Sequence, residues 1–428
     1  MSQNLLEPVL DGAVRSVAFF NGRLLSAEDL RQDRDATREF LRRLGRAGGD
    51  GVAFGFDVSE AVGQSSPQVP VVTVTPGVAV NRSGHALALT APADIRLVVP
   101  PPETTPATAG DFDDCPRGVT PPPAGDAGLF VLTVGPARSP EGRVPVSGLA
   151  AAVATCNTRY TVEGVQFRLV PLPLTVADLS DPDRLRHDAA YRCLGLTSDA
   201  YTARFRDPFG IVSPTYGLID QLRQDKALTD CEVPLALIRL TATGIGFIDA
   251  WAVRRRVAAP AALTAAGPGA TDRRAAEGEA MIAQFRDHTR DVLSRSKSPA
   301  AEVADTYFRF LPPAGLLPVR SPNRLTGFDA DTFFAGRAAT DPDVIDGGQL
   351  PELFREAALH APIPLVGPDG SGVDVAIQVY FIRENLAQAA DSKVQRALVF
   401  TSRAIRFRGL ARFGHAHWGF DNFAPLAG

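Results

Sequence analysis

Apolar and polar positions follow their clearest pattern between Ser16 and Val58, which predicts a short aromatic strand, a charged helix and a second strand. Ser26 suits a helix N-cap, and Asp29 three residues later approximates a capping box. The residues that recur at helical spacing after it are Leu30, Thr37, Phe40, Leu41 and Leu44. We therefore predict an amphipathic helix that Gly45 and the pair Gly48-Gly49 terminate.

The opposite face of this helix is highly charged. Its arginines include Arg31, Arg34, Arg38 and Arg42, and they alternate with acidic residues. Such a face is typical either of a solvated surface or of a surface that contacts a partner, and both interpretations stay open. Because apolar side chains are normally buried, we expect the charged face to point outward. The residues expected to pack inside the unit are Phe19, Phe20, Leu24 and Leu25.

Most of the remaining chain shows strand patterns separated by turns. The clearest is a hairpin in 71–89, around the turn Asn81-Arg82-Ser83-Gly84. Further strands are predicted at 129–134, 160–170, 373–383 and 397–407, and as a pair within 231–257; helices are predicted at 272–293 and 350–359, and 174–228 is mostly helical. The fold class predicted is α+β: a β-rich multidomain protein with hairpins and a few inserted amphipathic helices.

Segments rich in proline, glycine and alanine suggest where the domains end. At 428 residues the chain is long enough for two or three domains. The predicted divisions are an N-terminal helix-plus-hairpin domain (1–99), a linker or loop (100–127), a central β-rich domain (128–257), a linker and helix (258–299) and a C-terminal α+β domain (300–428). The absence of a fixed repeat argues against solenoids and propellers.

The charge composition excludes a global field that attracts nucleic acid or anionic membrane, because the net charge is only −4. We find no signal-peptide pattern and no apolar run of roughly 18 residues, so we expect cytoplasmic synthesis and no membrane span. Four scattered cysteines make a poor disulfide framework, and reduced thiols are the simpler expectation.

Candidate catalytic and metal-binding patterns are weak. His415 and His417 form the only close histidine pair, and an aromatic tail explains them better than a metal site does. The acidic segment 341–348 lacks the ligand spacing of a calcium loop. Phosphate-loop, zinc-protease and serine-hydrolase motifs are missing, as is a dinucleotide fingerprint. We therefore predict no catalytic residue, no metal and no cofactor.

Two further groups of residues are candidates for an interface. Arg254, Arg255 and Arg256 follow a predicted strand and suit an inter-subunit salt bridge or simple solvation better than nucleic-acid binding. Trp418 and Phe420 belong to the aromatic tail and could pack or dock against a partner.

The order of several segments resembles a family of bacterial proteins associated with phage-tail-like contractile injection systems. The segments are "FFNGRLLSAEDL", "VAFGFDV", "VTVTPGVAVNRSGHALAL", "CNTRYTVEGVQFRLVPLP", "VPLALIRL" and "FRFLPPAGLLPV", and the likeness ends near "ALVFTSRAIRF". One departure is that 46–51 lacks the Trp-Gly step usual in such proteins. The resemblance implies a structural part of the particle and brings no catalytic residue.

The function expected is therefore a non-enzymatic component of a contractile tail-like particle, at the baseplate or a terminal or accessory position. Its expected partners are other particle subunits, including baseplate, sheath, tube or spike components, and further copies of itself. The particle would assemble in the cytoplasm and then be released or docked at a membrane. The alternative is a receptor- or glycan-binding accessory module, for which only two tryptophans and six tyrosines are few. A hydrolase is a more distant third.

Overall fold

The computed structural model describes residues 13–97, 115, 127–145, 156–174, 183–196, 217–258, 268–321, 326–338, 342–367, 370–389, 394–402 and 405. The helices are α1 (Ala27–Gly48), α2 (Leu185–Cys193), α3 (Leu218–Gln224), α4 (Pro268–Arg295), α5 (Ala304–Tyr307), α6 (Ala330–Phe333), α7 (Leu350–Ala357) and α8 (Arg383–Ala389). Together with several small sheets they confirm the β-rich α+β class.

Sixteen strands are present in the described residues. They are β1 (Gly51–Gly55), β2 (Val58–Glu60), β3 (Val71–Val74), β4 (Gly77–Val80), β5 (Ala86–Leu89), β6 (Ala93–Arg96), β7 (Gly128–Pro145), β8 (Cys156–Pro171), β9 (Val233–Thr241), β10 (Gly244–Asp249), β11 (Phe310–Leu311), β12 (Ala314–Pro318), β13 (Asp343–Ile345), β14 (Ile363–Pro364), β15 (Ile377–Ile382) and β16 (Ala397–Ser402).

Two three-stranded sheets follow α1, in the orders β1-β4-β5 and β2-β3-β6. The predicted hairpin is confirmed as β4–β5, in which Val80 lies opposite Ala86. The chain changes sheet between β3 and β4, at the predicted bend Pro76-Gly77. The aromatic strand predicted before α1 is wrong, because residues 13–20 pair with no strand in the described part of the chain.

A four-stranded sheet of order β10-β9-β7-β8 forms the centre of the molecule. Strand β9 pairs with β7 only over Gly128–Val134, whereas β8 pairs with β7 as far as Pro145. The outer halves of β7 and β8 therefore leave the sheet as a two-stranded arm, whose residues 139–144 and 157–164 are exposed. At about 3.4 Å per residue, the ten residues after Gly135 extend roughly 34 Å.

The cores show how these parts join. One core contains Val52, Phe56 and Val74 from the first sheets together with Leu132 and Leu235 from the central sheet. Residues on both sides of the predicted 99 and 128 boundaries thus pack together, while the division into domains stays a prediction.

The C-terminal part is built on the sheet β12-β16-β15-β13. Helix α4 packs its Phe285 into that core beside Phe308 and Phe400. It reaches the central region through Gln284, whose Nε2 donates to Asp249 Oδ2 at 2.9 Å. Within the described ranges, we find no helix long and apolar enough to cross a membrane.

Candidate interaction surface

The start of α1 follows directly from its sequence. Ser26 Oγ accepts a hydrogen bond from the Asp29 backbone N–H at 3.1 Å, and Asp29 Oδ2 accepts one from the Ser26 N–H at 3.0 Å. Asp29 also binds the guanidinium of Arg23. The hydrogen bonds from Ser26, with the charge of Arg23, lower the pKa of the Asp29 carboxyl, so it stays ionised at the positive end of the helix.

The apolar side of this unit is exposed, which corrects the expectation that it packs inward. We define the α1 apolar surface as Phe19, Phe20, Leu24, Leu25, Leu30, Phe40, Leu41 and Leu44. Exposed fractions across it range from 51% for Leu25 to 94% for Leu24. Ala36 is the one buried residue recorded within α1. These residues therefore do not form an internal core of the unit.

The arginine side of α1 faces the body instead. Arg38 forms an ion pair with Glu163 of β8, and Arg42 is half-buried. Gly45 and Gly84 let the two backbones approach: a Cβ on Gly45 would lie 2.2 Å from the Gly84 carbonyl oxygen. Gly45 is thus a contact within the helix, which ends at Gly48 with Gly49 as its cap. Close approach on this side leaves the apolar side uncovered.

The two remaining predicted arginines of α1 stay outside this contact. Arg31 and Arg34 are exposed, and neither forms an ion pair with another residue in the described ranges. The predicted set therefore divides into a body-facing pair, Arg38 and Arg42, and a solvent-facing pair. Only the second pair is available to an external charge.

The β7–β8 arm provides a second exposed region beside the base of α1. Tyr160 and Val162 are two residues apart on β8, so they share one face of the arm, and both are about half exposed. Arg159 lies over the Tyr160 ring, 4.9 Å from its centroid. The opposite face begins with Glu163, which joins the arm to Arg38.

The run Arg254–Arg256 is not a strand end with alternating side chains. Residues 251–253 form a turn, and only Arg256 and Ala258 make isolated bridges to the β1 region. Arg254 is buried and donates to the carbonyl oxygens of Gly55 at 2.6 Å and Phe56 at 3.3 Å. The expected surface position is therefore wrong for Arg254, because its guanidinium satisfies the backbone around β1.

The other two arginines of that run have different surroundings. Arg255 donates to the carbonyl oxygens of Trp251, Ala252 and Arg254 and so closes the turn. Arg256 is exposed and pairs with Glu279 of α4. Of the three, only Arg256 presents its charge at the surface, and it already has a partner within the chain.

Arg255 and Arg256 also line a cavity of about 470 Å³ between β1, the β4–β5 turn, α2, α3 and α4. The charged residues around it are Arg46, Asp50, Arg82, Asp220, Arg223, Arg255, Arg256, Arg273 and Glu277. Burial, together with the neighbouring charge of Arg82, lowers the pKa of Arg223 to about 10. Arginines outnumber carboxylates in this lining, so the cavity is better suited to an anion than to a cation.

The cysteine expectation is also corrected. Cys115 and Cys231 form a disulfide across a sequence separation of 116 residues, and Cys193 is free and buried. The side chains of His85, Cys115 and Cys231 lie together and are the one group of potential metal ligands in the described residues. Sequence spacing gave no sign of this cluster, because its members come from three distant segments.

Several predicted candidates cannot be compared with the fold. Trp418, Phe420, His415 and His417 lie outside the described residues, as does Asp341 at the start of the acidic segment. The predicted linkers at 100–127 and around 258–267 also lie largely outside them. Trp418 and Phe420 therefore stay predictions as interface residues.

Comparison with known proteins gives no relative. No protein-family model matches the chain. No curated protein matches it either. The resemblance to tail-particle proteins consequently stays an expectation from the sequence.

Proposed function

We propose that this chain is a non-enzymatic structural component of a phage-tail-like contractile particle, at a baseplate, terminal or accessory position, and that α1 docks it to a neighbouring subunit. The observation that carries the proposal is the α1 apolar surface. A monomeric soluble protein rarely exposes a contiguous apolar patch on this scale, and such patches mark interaction sites.

The composition of this surface supports an interface. It includes aromatic side chains, Phe19, Phe20 and Phe40, which contribute large contact areas with little loss of side-chain entropy. Its position also fits, because α1 is joined to the body on its other side by Arg38 and Gly45. The helix is thus held by the body while its apolar side faces outward.

The charges beside the surface indicate the chemistry of the partner. Arg31 and Arg34 are exposed on α1 and form no ion pair with the described residues. A complementary partner would present an apolar segment flanked by carboxylates, since complementary charges set orientation and association rate. We assign this role to an acidic, amphipathic segment of another particle subunit.

The test is complementation of a deletion strain, followed by electron microscopy of the particles and immunodetection of this chain in them. Leu24→Glu places a charge on the surface, and Val62→Glu is the matched control in the same region. The two side chains are 94% and 95% exposed, so neither substitution should impair folding. We expect Leu24→Glu to lose incorporation and Val62→Glu to retain it.

Two results would count against these ideas separately. Particles of normal structure and yield in the deletion strain, without this chain in wild-type particles, would overturn the structural role. Normal incorporation of both variants would overturn the assignment of α1 as the docking element and leave the structural role in place. Size measurements on the isolated chain would identify a second copy as the occupant if Leu24→Glu converts an oligomer to a monomer.

A further inference from the structure

We propose that His85, Cys115 and Cys231 form a redox-gated zinc site, which binds one Zn²⁺ when the Cys115–Cys231 disulfide is reduced. The inference is independent of the proposed assembly role. It rests on the chemistry of the three side chains, their mutual distances and the hydrogen bonds that hold two of them in place.

The three ligand atoms already lie close enough for one ion. Potential ligand atoms of His85, Cys115 and Cys231 all lie within 4.8 Å of one another. His85 Nδ1 is 3.9 Å from Cys115 Sγ. Zinc bonds of about 2.3 Å to sulfur and 2.0–2.1 Å to imidazole nitrogen place ligand atoms roughly 3.5–4 Å apart in a tetrahedron. Opening the disulfide separates the two sulfurs toward that spacing.

The imidazole is held with an acceptor nitrogen toward the sulfurs. Asn81 Oδ1 accepts from the His85 backbone N–H at 2.8 Å, and Asn81 Nδ2 donates to the Cys231 carbonyl oxygen at 2.9 Å. These two bonds fix the amide orientation of Asn81, so the group 3.4 Å from His85 Nδ1 is the amide NH₂. A donor at that position favours the tautomer with its proton on Nε2, which leaves the Nδ1 lone pair available.

The backbone around the cluster is ordered by the same turn. Gly84 N–H donates to the Asn81 carbonyl at 2.9 Å, and Ser83 N–H donates to the Asp230 carbonyl at 3.3 Å. His85 thus approaches Cys231 on a tight turn that is bound to the chain just before β9. Preorganised ligands of this kind lower the cost of ordering a metal site.

Two thiolates and one imidazole form a donor set typical of zinc, with one of four tetrahedral positions left open. Water or an external ligand can complete the coordination. Ser83 Oγ, at 3.6 Å from Cys231 Sγ, lies next to the cluster and can hydrogen-bond a thiolate or that water. The arrangement therefore fits an ion that is held by the protein and remains accessible to one exchangeable ligand.

The disulfide and the zinc site exclude each other, because the same two sulfurs serve both. A dithiol reductant donates two electrons and two protons: the Cys115–Cys231 bond breaks, two thiols form, and the reductant becomes a disulfide. Zinc then binds both sulfurs as thiolates and releases their two protons. Either state links Cys115 to the start of β9, so the connection survives a change of redox conditions.

The test uses the full chain, with Co²⁺ as a spectroscopic probe and Zn²⁺ as competitor. After reduction by a phosphine and removal of metal, we expect one Co²⁺ per chain, with sulfur-to-metal charge-transfer absorption that Zn²⁺ abolishes. The disulfide form should show no such absorption. Equal Co²⁺ absorption in the reduced and disulfide forms would overturn the proposal, as would no Co²⁺ or Zn²⁺ binding by the reduced chain.

Variants identify the ligands. We expect His85→Ala to weaken Zn²⁺ binding at least tenfold and Cys231→Ser to abolish the cobalt–thiolate band. Cys193→Ala is the control, because Cys193 is buried away from the cluster and burial raises the pKa of its thiol to about 12. Circular dichroism verifies that each variant folds. Unchanged metal binding by folded His85→Ala would exclude His85 as a ligand.

Discussion

Gly45 of α1 and Gly84 of the β4–β5 turn lie in backbone contact. A Cβ on Gly45 would be 2.2 Å from the Gly84 carbonyl oxygen, and a Cβ on Gly84 would be 2.1 Å from the Arg42 carbonyl oxygen. Gly84 also has a φ of +86°, which disfavours other residues. This contact places one side of α1 against the body and thereby determines which side remains exposed.

Gly45→Ala should destabilise the protein by about 1–3 kcal/mol, because the new methyl group meets backbone atoms that cannot rotate away. The matched change Gly48→Ala should be neutral or stabilise by up to about 1 kcal/mol, since nothing lies within 4 Å and alanine favours a helix. Urea unfolding of both variants measures the difference. A Gly45→Ala protein as stable as Gly48→Ala would show that the backbone contact is absent in solution.

Arg38→Glu should loosen α1 from the body, because Arg38 would no longer pair with Glu163 and like charges would meet. The pair is partly exposed, so we expect an effect of only about 0.2–1 kcal/mol, with faster hydrogen exchange in α1. The exchanged pair Arg38→Glu with Glu163→Arg should restore protection.

Arg34→Glu is the matched control on the same helix, since Arg34 is exposed and forms no ion pair with the described residues. We expect normal hydrogen exchange in α1 and reduced incorporation into particles. If Arg34→Glu raised exchange as much as Arg38→Glu, the distinction between body-facing and partner-facing arginines would be wrong.

Glu232→Gln should cost about 3–5 kcal/mol at pH 7, because it leaves the buried charge of Arg168 without its partner. Glu232 accepts from Arg168 Nε at 2.7 Å and Nη2 at 2.6 Å, and from Thr133 Oγ1 at 3.0 Å. Unfolding by urea measures the loss. The exposed Glu60→Gln is the control, and equal stability of the two variants would contradict the role of the pair.

The same carboxylate gives a dependence on pH. Burial raises the pKa of Glu232, but the hydrogen bonds and charge of Arg168 outweigh burial and bring the pKa below its usual 4.5. The unfolded chain therefore takes up this proton first as the pH falls. The stabilisation is complete above pH 4.5 and is lost below it, as the pH falls through the folded pKa. Unfolding curves between pH 5 and 3 should show this loss in wild type and a smaller one in Glu232→Gln.

His187 and His288 should make the protein less stable in mild acid. Burial is the main cause that lowers the pKa of His187 to about 3 and the pKa of His288 well below 6.5. The unfolded chain binds these protons near pH 6.5, so stability present above that value declines as the pH falls toward 3.

His288→Leu tests this dependence by removing one of the two groups. Each such histidine contributes about 1.4 kcal/mol per pH unit, or about 2 kcal/mol between pH 6.5 and pH 5. The variant should lose that much less stability over this interval in chemical unfolding. An unchanged pH dependence would indicate that His288 is protonated in the folded protein.

Local sequence predicted the elements well where the signal was local. Ser26 and Asp29 form the expected capping box, and the turn at 81–84 joins β4 and β5 as predicted. A cap or a two-stranded turn depends on residues that are neighbours in the chain, so its side-chain chemistry is visible without the rest of the fold.

The disulfide, the metal-ligand cluster and the burial of Arg254 could not be predicted in this way. Cys115 and Cys231 are 116 residues apart, and Arg254 reaches the carbonyl of Gly55 across 199 positions. Each depends on which segments the folded chain brings together.

The amphipathic pattern of α1 separates what the sequence determined from what the tertiary structure decided. The spacing of Leu30, Leu41 and Leu44 determined that one side of the helix is apolar. It did not determine that this side faces outward, because the usual rule buries apolar residues within the same chain. The inward side was selected by the approach of Gly45 to Gly84 and the ion pair of Arg38 with Glu163, which are contacts between distant segments.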